Sequence, residues 1–126
     1  MRFPIAAAFV LVVAFLVVGC SSTSDNTLAV TGTDTSCTVA APEVRAGKVT
    51  FEFENKASQV NELYVLRANK QVAAELENVT SGMTRSLNAD LSSGTYTLTC
   101  KPGMKGRGIS STINVVGEGG AVSRQP

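Results

Sequence analysis

Residues 94–104 read GTYTLTCKPGM and are the most informative part of the chain for its fold. Tyr96, Leu98 and Cys100 alternate with threonines, so a strand here places them on one face and the threonines on the other. The Pro–Gly loop that follows ends the strand. The stretch therefore predicts a half-buried β-strand that holds the sulfur of Cys100 on its inner face, next to a loop.

The same alternation recurs along most of the chain. It is clearest in residues 48–55, where Val49, Phe51 and Phe53 share one face. Further strand signals, separated by turn residues, occupy residues 28–32, 37–41, 61–67, 84–91, 95–101 and 109–116. Seven or eight short strands with tight turns predict an all-β fold, an antiparallel Greek-key β-sandwich.

Two segments add detail to this fold. Residues 70–78 are compatible with either a helical turn or a strand. The sequence DLSSGTY at residues 90–96 resembles a tyrosine corner, which is a device of Greek-key proteins.

The N-terminus has the pattern of an export signal. Arg2 is followed by about fourteen apolar residues, a run shorter than the ~20 that span a bilayer as a helix. The end of this run, VVGC at residues 17–20, resembles the lipobox of bacterial lipoproteins, in which cleavage precedes an acylated cysteine. We therefore expect a signal peptide at residues 1–19 and a lipid on Cys20, anchoring the protein extracytoplasmically at the cell membrane.

The remaining chain divides into three parts. Residues 20–27 are polar and predict a flexible tether. Residues 28–117 carry the strand pattern and suffice for one domain with one core. The Gly-rich, polar residues 118–126 predict a disordered tail.

Charge and composition exclude several functions. The net charge is +1, and it falls to zero once Arg2 leaves with the signal peptide, with ten basic against ten acidic residues. This balance does not favour nucleic acid as a partner. The chain has no histidine, and no nucleophile has a plausible base beside it, so we expect no enzymatic activity.

With Cys20 assigned to the lipid, two cysteines remain. Cys37 and Cys100 can form a disulfide, bind a metal, or stay as free thiols. A disulfide would close a loop of more than sixty residues and stabilise the fold by roughly 4 kcal/mol in the chain-entropy model. A reducible disulfide could also control access of a metal to the thiols.

Residues 28–117 resemble the EfeO-type cupredoxin-like domain. This domain stands at the N-terminus of periplasmic iron-uptake proteins and also alone in short lipoproteins. The resemblance rests on five segments in order: TDTSC at 33–37, VRAGKV at 44–49, NELYVL at 61–66, ELENV at 75–79 and LSSGTYTLTC at 91–100. It implies a cupredoxin-like sandwich and an accessory role in metal uptake, with iron-uptake components as partners.

The resemblance also implies a metal site. The family's proposed ligands, two cysteines and two glutamates, fall on Cys37, Glu62, Glu75 and Cys100. Thiolates suit copper(I) and carboxylates suit iron(III), so the ion is iron or copper. A blue-copper centre is not expected, because it needs two imidazoles. The alternative is a disulfide-stabilised structural or interaction module without metal, with both glutamates on the solvated surface.

The loop after Cys100 holds weaker candidates. Met104 could supply a thioether to copper(I) or fill a gap in the core. Lys101, Lys105 and Arg107 could lower the pKa of the Cys100 thiol or attract an anion, although such clusters are commonly only solvated. Glu77 could replace Glu75 as a carboxylate ligand.

Overall fold

Alternating apolar residues build nine strands in the computed structural model, which describes residues 26–117. The strands are β1 (Thr27–Gly32), β2 (Cys37–Val39), β3 (Glu43–Arg45), β4 (Gly47–Asn55), β5 (Asn61–Leu66), β6 (Val72–Val79), β7 (Thr84–Leu91), β8 (Gly94–Cys100) and β9 (Ile109–Val116). A short 3₁₀ turn covers Pro102–Met104. The predicted signal peptide, Cys20 and the tail at 118–126 lie outside the described residues.

The strands form two sheets that pack face to face. One sheet has the order β2-β1-β4-β7 and the other has the order β3-β9-β8-β5-β6. The inner faces meet in a core where Phe51 and Phe53 of β4 and Leu98 of β8 are fully buried. The predicted β-sandwich is therefore confirmed.

Two details of the topology differ from the prediction. Residues 26–117 form nine strands rather than seven or eight, and the pairs β1/β4 and β3/β9 run parallel. Both differences arise because residues 37–45 cross between the sheets. β2 pairs with β1 in one sheet, the chain passes Pro42, and β3 then joins β9 in the other sheet. Pro42 cannot donate a backbone hydrogen bond, so it suits the break between the two short strands.

The ambiguous segment at 70–78 contains most of strand β6, which lies at the edge of the five-stranded sheet. Two register shifts interrupt its pairing with β5, and Asn78 near its end has a positive φ of 57°. These irregularities explain why residues 72–79 lack a clean two-residue period. The side chain of Arg85 in β7 donates to the carbonyl of Glu77 at 3.0 Å and connects the two edge strands.

The tyrosine corner is present. The hydroxyl of Tyr96 donates to the carbonyl oxygen of Ser92 at 2.9 Å, which ties β8 to the turn before it. Tyr96 is 3 % exposed, so this hydrogen bond satisfies a buried hydroxyl.

The sandwich has two distinct ends. At the end that we call the loop end lie the loops 33–36, 56–60, 80–83 and 101–108. The opposite end, called the anchor-side end, holds Asn26 and the turns 67–71 and 92–93. There the side chain of Asn26 donates to the carbonyls of Arg45 and Lys48 at 2.6 and 3.1 Å. Strand β1 thus begins at Thr27, one residue before the predicted start of the domain.

No helix within residues 26–117 is long and apolar enough to cross a membrane.

Candidate functional site

A disulfide joins the two cysteines of the domain. Cys37 begins β2 and Cys100 ends β8, and their Cα atoms lie 5.5 Å apart. Because β2 and β8 belong to different sheets, the bond holds the sheets together at the loop end. Both residues are buried, with 3 % and 0 % of their surface exposed. Of the three alternatives left open by the sequence, the structure shows the disulfide.

Strand β9 closes the same corner of the sandwich. Ser111 is the cross-strand partner of Leu98, so it points toward the interior like Leu98. Its hydroxyl donates to the carbonyl oxygen of Cys37. The sulfurs are therefore enclosed by packed strands and are not presented on a loop.

Glu62 is buried near the start of β5, with 6 % of its surface exposed. Its neighbour Leu63 faces the core, so the Glu62 side chain lies on the outer face of the five-stranded sheet. The carboxylate accepts a hydrogen bond from the hydroxyl of Tyr64 at 3.0 Å. A buried carboxylate requires such a partner, and Tyr64 provides it.

Tyr64 lies among three glutamates. Burial of its ring, the hydrogen bond to Glu62 and the negative charges of Glu62, Glu77 and Glu75 raise the pKa of Tyr64 to about 12. The Nζ atom of Lys101 lies 4.7 Å from the centre of the Tyr64 ring, in cation–π contact. At neutral pH, Tyr64 is therefore an uncharged phenol that donates a hydrogen bond to a carboxylate.

The predicted ligands fall into two separate pairs. Glu75 is exposed and is the cross-strand partner of Tyr64, so it shares the outer face of the sheet with Glu62. Cys100 is the partner of the buried Leu63 and faces the core. Within residues 26–117, no three histidine, cysteine or carboxylate side chains are grouped so that they could hold a metal ion. The structure brings the two cysteines together but does not bring them together with the glutamates.

This arrangement does not fit a metal centre in the oxidised protein. The thiolate is the form of cysteine that binds metals, and both sulfurs are engaged in one bond. A blue-copper centre lacks its imidazoles as well, because the chain contains no histidine.

The loop after Cys100 is seated against the start of β5. The backbone N–H of Lys101 donates to the carbonyl of Glu62 at 3.0 Å, and that of Gly103 donates to the carbonyl of Val60 at 2.7 Å. Met104 is 39 % exposed, so its side chain is not a core residue. Its role as a thioether ligand stays a prediction.

The loop returns to the disulfide through Gly108. This residue has a φ of +77°, and a Cβ atom on it would lie 2.6 Å from the carbonyl oxygen of Cys100. Only glycine permits both the conformation and the close approach. Lys105 and Arg107, the other cations of the loop, are exposed.

Two buried asparagines organise the loop end, although no motif in the sequence indicates them. Asn55 and Asn61 are both 0 % exposed. The amide of Asn55 donates to the carbonyls of Gln59 and Val79, each at 2.9 Å. Its oxygen accepts from the N–H of Ala57 at 2.9 Å and from the Asn61 amide at 3.2 Å. This network fixes the loop that carries the chain from β4 to β5, and with it the position of Glu62.

A family model described as the cupredoxin-like domain matches residues 6–110. The chain belongs to the cupredoxin-like domain family. A search of curated proteins finds no significant sequence match to this cupredoxin-like chain.

Solved structures agree with the family at the level of the fold. Auracyanin from the photosynthetic bacterium Roseiflexus castenholzii, reduced with dithionite, superposes with a TM-score of 0.57 at 13 % identity, covering 73 % of this chain and 98 % of its own. An azurin (Az-iso2) from the methylotroph Methylomonas sp. strain J gives 0.56 at 18 %, with coverages of 72 % and 98 %. Auracyanin A from Chloroflexus aurantiacus, described as a "blue" copper protein, gives 0.51 at 17 %, with coverages of 71 % and 98 %. The cupredoxin-like architecture is thus shared, although this chain has no histidine.

Proposed function

We propose that the chain is a lipid-anchored protein at the extracytoplasmic face of the cell membrane, and that its cupredoxin-like domain is a non-catalytic interaction module stabilised by a disulfide. The observation that carries this proposal is the buried bond between Cys37 and Cys100. It occupies the two residues that a thiolate site would need. A disulfide in the domain also suits the oxidising compartment that the predicted export signal implies.

The resemblance to the EfeO-type domain suggests the process in which the module takes part. Proteins with that domain take part in iron uptake, so we propose that the module works as an accessory in metal uptake and that its partners are iron-uptake components. The lipid on Cys20 would hold it at the membrane where such transport takes place. Nucleic acid is not among the proposed partners.

A second candidate function is metal binding by the reduced protein. The closeness of the sulfurs favours it, because reduction would leave two thiols with Cα atoms 5.5 Å apart, a spacing that lets both bind one ion. Two thiolates favour copper(I), whereas recruitment of Glu62 and Glu75 would favour iron(III). Both forms of this function require a reductant, and the iron(III) site also requires a rearrangement that brings the carboxylates and the sulfurs to one place.

A thiol count distinguishes the two functions. The mature protein, purified without reductant, is denatured and alkylated, and its mass is measured. We expect no alkylation of Cys37 or Cys100. A second sample of native protein is reduced under anaerobic conditions. Copper(I) and iron(III) are added to separate portions, which are desalted and analysed for bound metal. The interaction module predicts that neither ion is retained.

Matched variants make the second half of this experiment decisive. If the reduced protein retains an ion, Cys100→Ser should abolish retention. The double change Glu62→Gln and Glu75→Gln should weaken retention, whereas Glu52→Gln with Glu54→Gln, on the other sheet, should not. Alkylated cysteines in the native protein, together with one retained ion that follows this pattern, would replace the interaction module by the metal-binding function.

A further inference from the structure

The anchor-side end of the sandwich carries a basic surface with exposed apolar residues. Arg67 and Lys70 lie in the turn between β5 and β6, and Arg45 and Lys48 lie where β3 ends and β4 begins. Among residues 26–117, the negative charges nearby are Asp90, which is the cross-strand partner of Lys48, and Glu43 at the start of β3. Asp25 and Glu118 adjoin these residues in the sequence. Within the described residues, four cations therefore lie at this end with two carboxylates.

Two exposed valines accompany these cations. Val72 starts β6 beside the basic turn and is 49 % exposed, and Val116 ends β9 as the partner of Arg45 and is 36 % exposed. Cationic side chains next to apolar ones suit the boundary of a membrane, where they meet anionic headgroups and acyl chains, respectively. We define the anchor-side surface as Arg45, Lys48, Arg67, Lys70, Val72 and Val116.

The chain emerges from the domain at this same end. Asn26 is hydrogen-bonded to the backbone of Arg45 and Lys48, and only six peptide steps separate it from Cys20. Six steps reach at most about 22 Å even when fully extended. The sandwich is longer than that, because the nine residues of β4 alone extend over about 30 Å. A lipid on Cys20 therefore keeps the anchor-side end near the bilayer and prevents the domain from inverting.

We infer that the anchor-side surface docks on anionic lipid headgroups, so that the sandwich stands on the membrane with its loop end pointing away. This inference rests on the proposed lipid anchor. The loop end also carries exposed cations, Lys105 and Arg107, but it lies beyond the reach of the chain that leads to Cys20. Position relative to the anchor, and not charge alone, decides which end meets the lipid.

The mature, acylated protein tests this inference in two kinds of vesicle, one of phosphatidylcholine and one that also contains phosphatidylglycerol. Flotation measures anchoring, and hydrogen–deuterium exchange measures contact with lipid. We expect flotation with both vesicles, and slower exchange of residues 67–72 only with phosphatidylglycerol. High salt should remove this protection, because it screens charges at the surface.

Two double variants provide the control. Arg67→Glu with Lys70→Glu should abolish the protection, whereas Lys105→Glu with Arg107→Glu changes the charge equally at the loop end and should retain it. Equal exchange in both vesicles, or protection that survives the change at 67 and 70, would overturn the docking and leave the anchor intact. Failure to float with either vesicle would instead overturn the anchor, and the docking with it.

Discussion

At the residue scale, Tyr64 contacts both the buried carboxylate of Glu62 and the side chain of Lys101. Its hydroxyl donates a hydrogen bond to Glu62, and its ring makes a cation–π contact with Lys101. Its cross-strand partner is Glu75. Replacing the hydroxyl would leave the Glu62 carboxylate buried without this donor, which is costly for a charged group. Tyr64 therefore gives the buried Glu62 carboxylate a hydrogen-bond donor without carrying charge itself.

The titration of Tyr64 gives a first prediction. Its pKa of about 12 in the folded protein lies above the ordinary tyrosine value of 10.0. A raised pKa in the folded protein means that the protonated form of Tyr64 stabilises the fold. This contribution is fully present below pH 10.0 and is lost as the pH rises through about 12. Glu62→Gln removes a charge and weakens the acceptor, so we expect the pKa of Tyr64 to fall toward its ordinary value. The measurement is the ultraviolet absorbance of tyrosinate during an alkaline titration.

Two comparisons assign this titration. Tyr64→Phe removes the step that belongs to Tyr64 and leaves that of Tyr96, since the chain contains two tyrosines. Glu54→Gln removes a carboxylate from the opposite sheet and should leave the step unchanged. A titration of Tyr64 that is the same with and without the Glu62 charge would show that the hydrogen bond between them is absent in solution.

At the scale of the elements, the loop end is organised by backbone hydrogen bonds to side-chain amides. Asn55 ends β4 and Asn61 begins β5, and their amides replace the pairing that the backbone loses where the chain leaves one sheet for the other. Buried backbone groups that lose their partners cost about 1–3 kcal/mol each. The network is therefore a requirement of the crossing between the sheets.

Asn55 supports a second prediction. Asn55→Ala leaves the carbonyls of Gln59 and Val79 and the N–H of Ala57 without their partner. We expect the free energy of unfolding to fall by about 2–5 kcal/mol, measured by urea denaturation. Asn88→Ala is the control, because Asn88 is exposed and accepts one hydrogen bond from Thr50; it should cost less than about 1 kcal/mol. Equal effects of the two changes would contradict a structural role for the network.

Local patterns in the sequence predict the elements better than their connections. The alternation of Val49, Phe51 and Phe53 follows directly from the two-residue period of a strand with one buried face. Strand β6 remained ambiguous because bulges interrupt that period. The crossing at Pro42 depends on contacts of β2 and β3 with strands far away in the chain, which no local pattern records.

In the candidate site, too, local features could be predicted from the sequence and contacts between distant strands could not. The inward direction of Cys100 could be predicted from its place in an alternating strand. The position of Glu62 beside an apolar strand could be predicted as well. The sequence offered the pairing with Cys37 as one of three alternatives, and the choice among them depends on how β2 packs against the other sheet. The Asn55–Asn61 network was missed because amides at strand ends look like ordinary turn residues in a sequence.

At the scale of the whole molecule, the disulfide connects sheets that otherwise associate through side chains. Cys37 and Cys100 are 63 residues apart in sequence, so the bond restricts the unfolded chain strongly and stabilises the fold by about 4 kcal/mol in the chain-entropy model. We predict a loss of this size in the double variant Cys37→Ser and Cys100→Ser, measured by denaturant unfolding. The wild-type protein under reducing conditions should match the variant. Unchanged stability in both would show that the bond is absent from the native protein.

The open sides of the sandwich have a consequence for life at a crowded surface. Exposed strand edges can pair with neighbouring molecules and begin aggregation. Here β2 and β3 are only three residues long, and β6 has register shifts and accepts a hydrogen bond from Arg85 at the carbonyl of Glu77. The fourth edge strand, β7, has eight residues and pairs with β4 without a shift. If a lipid gathers molecules side by side, β7 is therefore the edge of the described fold at which one sheet would add to another, and the other three edges resist such growth.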